Sequence, residues 1–147
     1  MTKIPTVPPF VNRSVQFVLR SPIHGMVSKF TLLISFTGCK SGKTFTTPVS
    51  YSQVGDQVTI FTHANWWKNL RGGAPVTLRI RGKDVRGVAV PVAEDKQAIA
   101  VGLAAHLRQV RSDAKYYGVT FDDQGNPSAE EVEKAAQTVV MIRVHLS

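Results

Sequence analysis

The chain has 147 residues, 43% of them hydrophobic and 19% charged, a balance that suits one compact domain burying about two-thirds of its unfolded surface. It excludes a disordered chain, and no apolar run approaches the roughly 18 residues of a membrane-spanning helix. Eighteen Lys and Arg against ten Asp and Glu give a formal charge of +8, which attracts anionic partners such as phosphorylated cofactors, nucleic acid or acidic lipid.

The reading takes residues 1–147 as one domain. Met1 to Val11 carries Pro5, Pro8 and Pro9 without periodicity and reads as an extended arm. It lacks the long apolar core and small-residue cleavage site of a secretory signal, so a cytoplasmic location is expected. From Asn12 to Ser28, Val15, Val18, Leu19, Ile23, Met26 and Val27 recur at helical spacing, interrupted at Ser21-Pro22, where Ser21 suits an N-cap and Pro22 a first turn.

The period then changes. Phe30 to Phe36, Thr46 to Ser52 and Gln57 to Thr62 are β-branched and aromatic runs, with Gly55-Asp56 turning between the last two. Ala64 to Leu70 predicts one or two helical turns, ended at Arg71-Gly72-Gly73. Pro75 to Arg81 alternates Val76, Leu78 and Ile80 inward with Thr77, Arg79 and Arg81 outward. A turn at Gly82-Lys83-Asp84 leads into a second alternating run, Val85 to Val92.

Glu94 to Arg111 predicts the longest helix, with Ile99, Leu103, His106, Leu107 and Val110 on one face. Asp122 to Pro127 is a polar turn. Ser128 to Ala136 opens with the Ser-Ala-Glu-Glu capping-box pattern, and Thr138 to Leu146 reads as a last strand. Six short strands with helices at their ends predict an α+β fold with a small antiparallel barrel.

Cys39 is the only cysteine, which excludes a disulfide framework and any multi-cysteine metal site. His24, His63, His106 and His145 lack metal-ligand spacing, and no metal is expected. Chemistry concentrates instead in Thr37-Gly38-Cys39-Lys40-Ser41-Gly42-Lys43-Thr44. Two glycines among small and basic residues make a loop whose amides can turn inward beside lysines, as a phosphate requires. The plainer reading is a glycine-rich β-turn with solvated lysines. A nucleoside-triphosphate loop is excluded, because its first glycine would fall at Thr37 and the chain continues into a strand rather than a helix.

Arg20-Ser21-Pro22-Ile23-His24, Thr37-Gly38-Cys39-Lys40-Ser41-Gly42, Pro48-Val49, Gly55-Asp56 and Asn65-Trp66-Trp67-Lys68-Asn69-Leu70 occur in an order that resembles the deazaflavin-dependent nitroreductase family, from about Arg20 to Val90. The resemblance implies a six-stranded split β-barrel of the FMN-binding type with flanking helices. It also implies hydride transfer from reduced deazaflavin F420 to a small organic acceptor such as a nitro compound or quinone. By that resemblance Gly38, Lys40, Ser41, Gly42 and Lys43 would take the phosphate and acidic tail of the cofactor. Thr47, Pro48, Val49, Thr62, His63, Trp66 and Trp67 would surround its ring.

Two positions depart from the pattern, Cys39 and Phe45, each standing where the family commonly has Arg. Guanidinium groups contact phosphate bidentately and neither replacement does. FMN or FAD therefore stand as alternative cofactors, and a non-catalytic flavin or deazaflavin binder or an FMN-dependent reductase as alternative functions.

His63, Tyr116 and Tyr117 are the candidates for a proton or hydrogen-bond donor, although strand-end histidines and tyrosine pairs more often pack structurally. Trp66 and Trp67 cannot both face the core from one helix. Arg71, Arg79, Arg81, Lys83 and Arg86 gather around one hairpin. Its strand lacks aromatics for base stacking, so no specific nucleic acid is expected. A symmetric homodimer is compatible with such a barrel.

Overall fold

The computed structural model describes residues 30–147. The N-terminal arm, the helical pattern over residues 12–28 and His24 lie outside the described residues. Six strands follow, β1 (Thr31–Thr37), β2 (Thr44–Val54), β3 (Gln57–Thr62), β4 (Ala74–Ile80), β5 (Lys83–Val92) and β6 (Val140–Leu146). Among them lie two α-helices, α1 (Lys96–Gln109) and α2 (Ala129–Ala136), and two 3-10 helices, η1 (Asn65–Leu70) and η2 (Arg111–Tyr116).

The strands close into an antiparallel barrel in the order β1-β2-β3-β6-β5-β4, the α+β barrel that the strand pattern predicts. Closure gives every strand two neighbours along part of its length, which limits the free edges that are the usual liability of a small sheet. The period-two alternation sends Ile34, Phe36, Val58, Ile60, Val76, Leu78, Ile142 and Val144 into the interior, where Trp66 and Leu70 from η1 plug one end.

A second core lies outside the barrel wall. β3 and β6 pair Ile60 with Ile142 inward and Phe61 with Met141 outward. Because Phe61 and Met141 are apolar on the outer face, a helical layer must cover that end of the two strands. Ile99, Leu103 and Leu107 of α1, with Val132 and Ala136 of α2, supply it.

Three boundaries differ from the sequence pattern for local reasons. The β4–β5 turn is the two-residue Arg81-Gly82, with Ile80 paired to Lys83 and φ of 51° and 81° at its centre. That is the type I′ geometry that matches strand twist, so Lys83 and Asp84 join β5. Arg79 consequently faces Asp84 across the hairpin, with Nη1 donating to Oδ1 at 2.9 Å. The helix expected over 94–111 begins at Lys96, where the Asp95 side chain caps the Ala98 amide, and ends at Gln109. Arg111–Tyr116 tightens into η2.

The capping box on α2 is half formed. Ser128 accepts from the Glu131 amide, but the Glu131 carboxylate turns away to accept from the amide and hydroxyl of Thr120, both at 2.8 Å. Those bonds hold its carboxyl below the usual range and tie α2 to the segment after η2. Among the described residues no helix is long and apolar enough to cross a membrane.

Gly87 sits where β5 meets β6, and a Cβ there would lie 2.7 Å from the His145 carbonyl oxygen. Backbone cannot yield as a side-chain tip does. Gly87→Ala should destabilise the barrel by about 1–3 kcal/mol, measured as a lower denaturation midpoint at unchanged m value.

Candidate functional site

β2 follows β1 along Thr44–Ser50, but its pairing with β3 runs only from Val54↔Gln57 to Tyr51↔Ile60. Beyond that point β2 stays with β1 while Phe61 and Thr62 of β3 stay with β6. The two strands part, and in the gap lies a cleft of about 400 Å³. Pro48 falls within the parted stretch. It has no N–H to give a ladder and belongs where a strand becomes an edge. Backbone groups of Thr47 to Ser50 that face away from β1 have no strand partner among the described residues.

Thr47, Pro48, Val49 and Ser50 form one wall, Phe61, Thr62, His63 and Ala64 the opposite one, Trp66 an end, and Asp113, Tyr116 and Tyr117 of the η2 region the cover. The barrel thus brings together Thr47, Pro48, Val49, Thr62, His63, Trp66, Tyr116 and Tyr117 of the residues singled out in sequence. Thr62 is buried and its Oγ1 accepts from the Ala64 amide at 3.0 Å, turning the chain into η1. Trp66 is buried and stacks on Phe36 at 5.2 Å. Trp67 lies outside the cleft lining, half-buried beneath the Arg71 guanidinium at 5.2 Å. The two tryptophans therefore divide as their adjacency requires.

His63 is exposed at the end of β3, its ring 5.7 Å from that of Tyr117. Tyr116 is 68% exposed, while Tyr117 is half-buried. Burial first, and then the charge of Asp113, push the Tyr117 phenol well above its ordinary value of 10.0. It stays protonated, a standing O–H donor at the cleft.

The loop between β1 and β2 is not the open cradle that its glycines suggest. Its Gly38 amide donates to the Lys43 carbonyl, its Gly42 amide to the Gly38 carbonyl, and its Lys43 amide to Ser41 Oγ. The Cys39 amide donates to Asn69 Oδ1 at 3.0 Å, and Asn69 Nδ2 donates to the Trp66 carbonyl at 2.9 Å. The loop is therefore stapled to η1, the element that carries Trp66. Among the described residues, the Lys40 and Ser41 amides alone in Gly38–Lys43 lack an internal partner, and the Lys40 and Lys43 side chains are exposed beside them.

Phe45, where the resemblance would put Arg, points into packing. Its ring lies 6.0 Å from Phe36, and a Cβ on Gly38 would meet its edge at 2.6 Å. Gly38 is thus a packing glycine under Phe45. From Thr44, at the end of the loop, to Thr47, in the cleft wall, is roughly 10 Å of extended strand.

Sequence reasoning missed a buried polar chain behind the cleft. His106, on the apolar face expected of its helix, is 1% exposed, and Asp113 is 6% exposed. His106 Nε2 lies 2.9 Å from Asp113 Oδ2, His106 Nδ1 lies 2.9 Å from Ser52 Oγ, and Ser50 Oγ donates to Asp113 Oδ1 at 3.3 Å. The available signal was a histidine on an apolar helix face followed seven residues later by an acid. Its partners in β2 are more than fifty residues away. Among the described residues no three His, Cys, Asp or Glu side chains gather to hold a metal.

A family model described as F420H(2)-dependent quinone reductase matches residues 16–120. Among solved structures, one similar to the chain is a putative 5-nitroimidazole antibiotic resistance protein from Bacteroides thetaiotaomicron, with TM-score 0.55 and 12% identity over 87% of this chain and 80% of that one. Another is a pyridoxamine 5′-phosphate oxidase-related, FMN-binding protein from Nostoc punctiforme, with TM-score 0.52 and 12% identity over 96% and 82%. The heme storage protein HutZ from Vibrio cholerae gives TM-score 0.51 and 14% identity over 82% and 83%. At these identities the three show the shared split-barrel fold alone. No curated protein matches the chain significantly.

The Tyr117 environment makes a signed prediction. Above pH 10 the unfolded state releases a proton that the folded state keeps, so stability present below that pH is lost as pH rises. Between pH 9 and pH 11, urea titrations should show the wild type losing stability more steeply than Tyr117→Phe, by up to about 1.4 kcal/mol per pH unit.

Proposed function

The chain belongs to the F420H(2)-dependent quinone reductase family and is an F420-dependent oxidoreductase; on that premise we propose that the parted-strand cleft is where a small quinone or nitro acceptor is reduced. The carrying observation is the cleft itself, opened by the divergence of β2 and β3 and reached along one strand from a lysine-bearing loop.

The residues present fit the cofactor. A tail of negative charge suits the exposed Lys40 and Lys43 and the two unpartnered amides of Lys40 and Ser41. A flat neutral ring suits the apolar wall of Pro48, Val49 and Trp66 with free backbone groups beside it. When bound in its reduced form, F420 supplies the hydride. Binding by lysines and amides replaces the guanidinium anchors that Cys39 and Phe45 do not offer.

The protein contributes position and polarity. Asn69 fixes the loop relative to Trp66, and Thr62 fixes the turn into η1. Tyr117 offers a hydrogen bond to an acceptor oxygen as negative charge develops there. Its raised pKa makes it a poor acid at neutral pH, so the compensating proton comes from His63 or solvent at the exposed side of the cleft.

Fluorescence titration with F420, FMN and FAD tests the reading, followed by oxidation of reduced F420 with a quinone and a nitro acceptor. F420 should bind in preference to both flavins, with turnover. The double variant Lys40→Ala/Lys43→Ala should weaken F420 binding about tenfold or more at low salt, and the difference should shrink as salt rises. Preference for a flavin, or an F420 affinity indifferent to both lysines, would refute the assignment.

A further inference from the structure

The chain carries a formal charge of +8, yet its cleft has the opposite character. Of the described residues lining it, Asp113 alone is formally charged. Threonine, proline, valine, serine and aromatic side chains make up nearly all the rest, with His63 at the exposed side.

The carboxylate of Asp113 is held from two directions. Ser50 of β2 donates to Oδ1, and His106 of α1 meets Oδ2. As a carboxylate, Asp113 can only accept, so His106 Nε2 carries the proton of that bond. Nδ1 lies 2.9 Å from the Ser52 hydroxyl, which donates to it when the ring is neutral. With the ring in that form every bond in the chain is made and the negative charge stays on Asp113, at the cleft wall. The other titratable groups nearby are Tyr117, kept neutral, and His63 and Tyr116 on the open side. Lys115 lies over the Tyr116 ring at 5.2 Å, exposed and screened by solvent.

We propose that Asp113 determines acceptor specificity: fixed by Ser50 and by the His106–Ser52 pair, it presents one negative charge that admits neutral, electron-poor acceptors and excludes those bearing a carboxylate or sulfonate. The inference rests on the reading of the cleft as the acceptor site. A like charge brought against the buried Asp113 carboxylate at the cleft wall meets a repulsion that is stronger there than between charges in bulk water. Basic charge on the surface and acidic charge in the cleft then sort the ligands by place. Anionic tails are held at the Lys40–Lys43 loop, and the reacting end of the acceptor must be uncharged.

A matched pair of nitroaromatics tests this, 4-nitrobenzyl alcohol and 4-nitrobenzoate, which share a ring and differ in charge. Quenching of tryptophan fluorescence in the protein without cofactor, with Trp66 at the cleft end, reads binding directly. Oxidation of reduced F420 reads kcat/KM for the same pair. The wild type should bind the alcohol about tenfold or more tightly than the benzoate. Asp113→Asn removes the charge while its oxygen still accepts from His106 and its amide N–H donates to the Ser50 hydroxyl, and it should bring the two affinities together, while Asp113→Glu should preserve the discrimination.

Equal affinities in the wild type, or a ratio unchanged in Asp113→Asn, would overturn the charge role and leave the cleft reading standing. Failure of both probes to bind the wild type would overturn both. A measurement without variants closes the test, the nitrogen-15 shifts of His106 at neutral pH. A neutral ring protonated at Nε2 is expected; a doubly protonated ring would cancel the charge and end the proposal.

Discussion

Everything that makes this barrel a site follows from one interruption in its hydrogen-bond ladder. A closed six-stranded barrel satisfies its backbone groups internally and offers a ligand nothing but side chains. Here β2 and β3 separate beyond Tyr51↔Ile60, so Thr47 to Ser50 keep one strand neighbour instead of two. The unpaired backbone, the cleft and the access of η2 to the barrel wall all arise from that separation. Pro48 helps to maintain it, since a strand containing proline cannot be stitched shut there.

The second organising feature is the distribution of charge. Lysines stand at the β1–β2 loop, a carboxylate stands in the cleft, and roughly 10 Å of β2 connects them. Phe45 lies between the two and contributes no charge at all. It stacks on Phe36, which in turn stacks on Trp66, and through Gly38 it dictates how closely the loop may approach the strand. Phe45, where the resemblance would put Arg, packs against the core, and the loop is held by its own backbone bonds and by Asn69.

Much of the architecture was legible in the sequence because it is local. β-branched and aromatic runs located β1 to β3, period-two alternation located β4 and β5, the last run located β6, Gly55-Asp56 placed a turn, and the 3.6-residue pattern found α1. Boundaries slipped where a turn type rather than composition decides them, as at Arg81-Gly82. The family motifs pointed to Thr47 to Val49, Thr62, His63 and Trp66, which the fold brings to one cleft. Hidden from view were the bonds between distant segments. Ser50 and Ser52 look like ordinary strand serines, and nothing in their neighbourhood announces Asp113 or His106 on the far side of the chain. Asn69 stood inside a quoted motif, but its task is a contact with Cys39 thirty residues earlier.

The place of β6 in the ladder has a kinetic side. It lies between β3 and β5, and its pairing with β3 joins residues about eighty positions apart, so the chain must close a long loop before any of those bonds is gained. Until β6 docks, β3 and β5 are open edges, and β3 carries apolar Val58 and Ile60 on one face and Phe61 on the other. The chain without β6 has those two edges unpaired, and that is its window for pairing with the wrong strand.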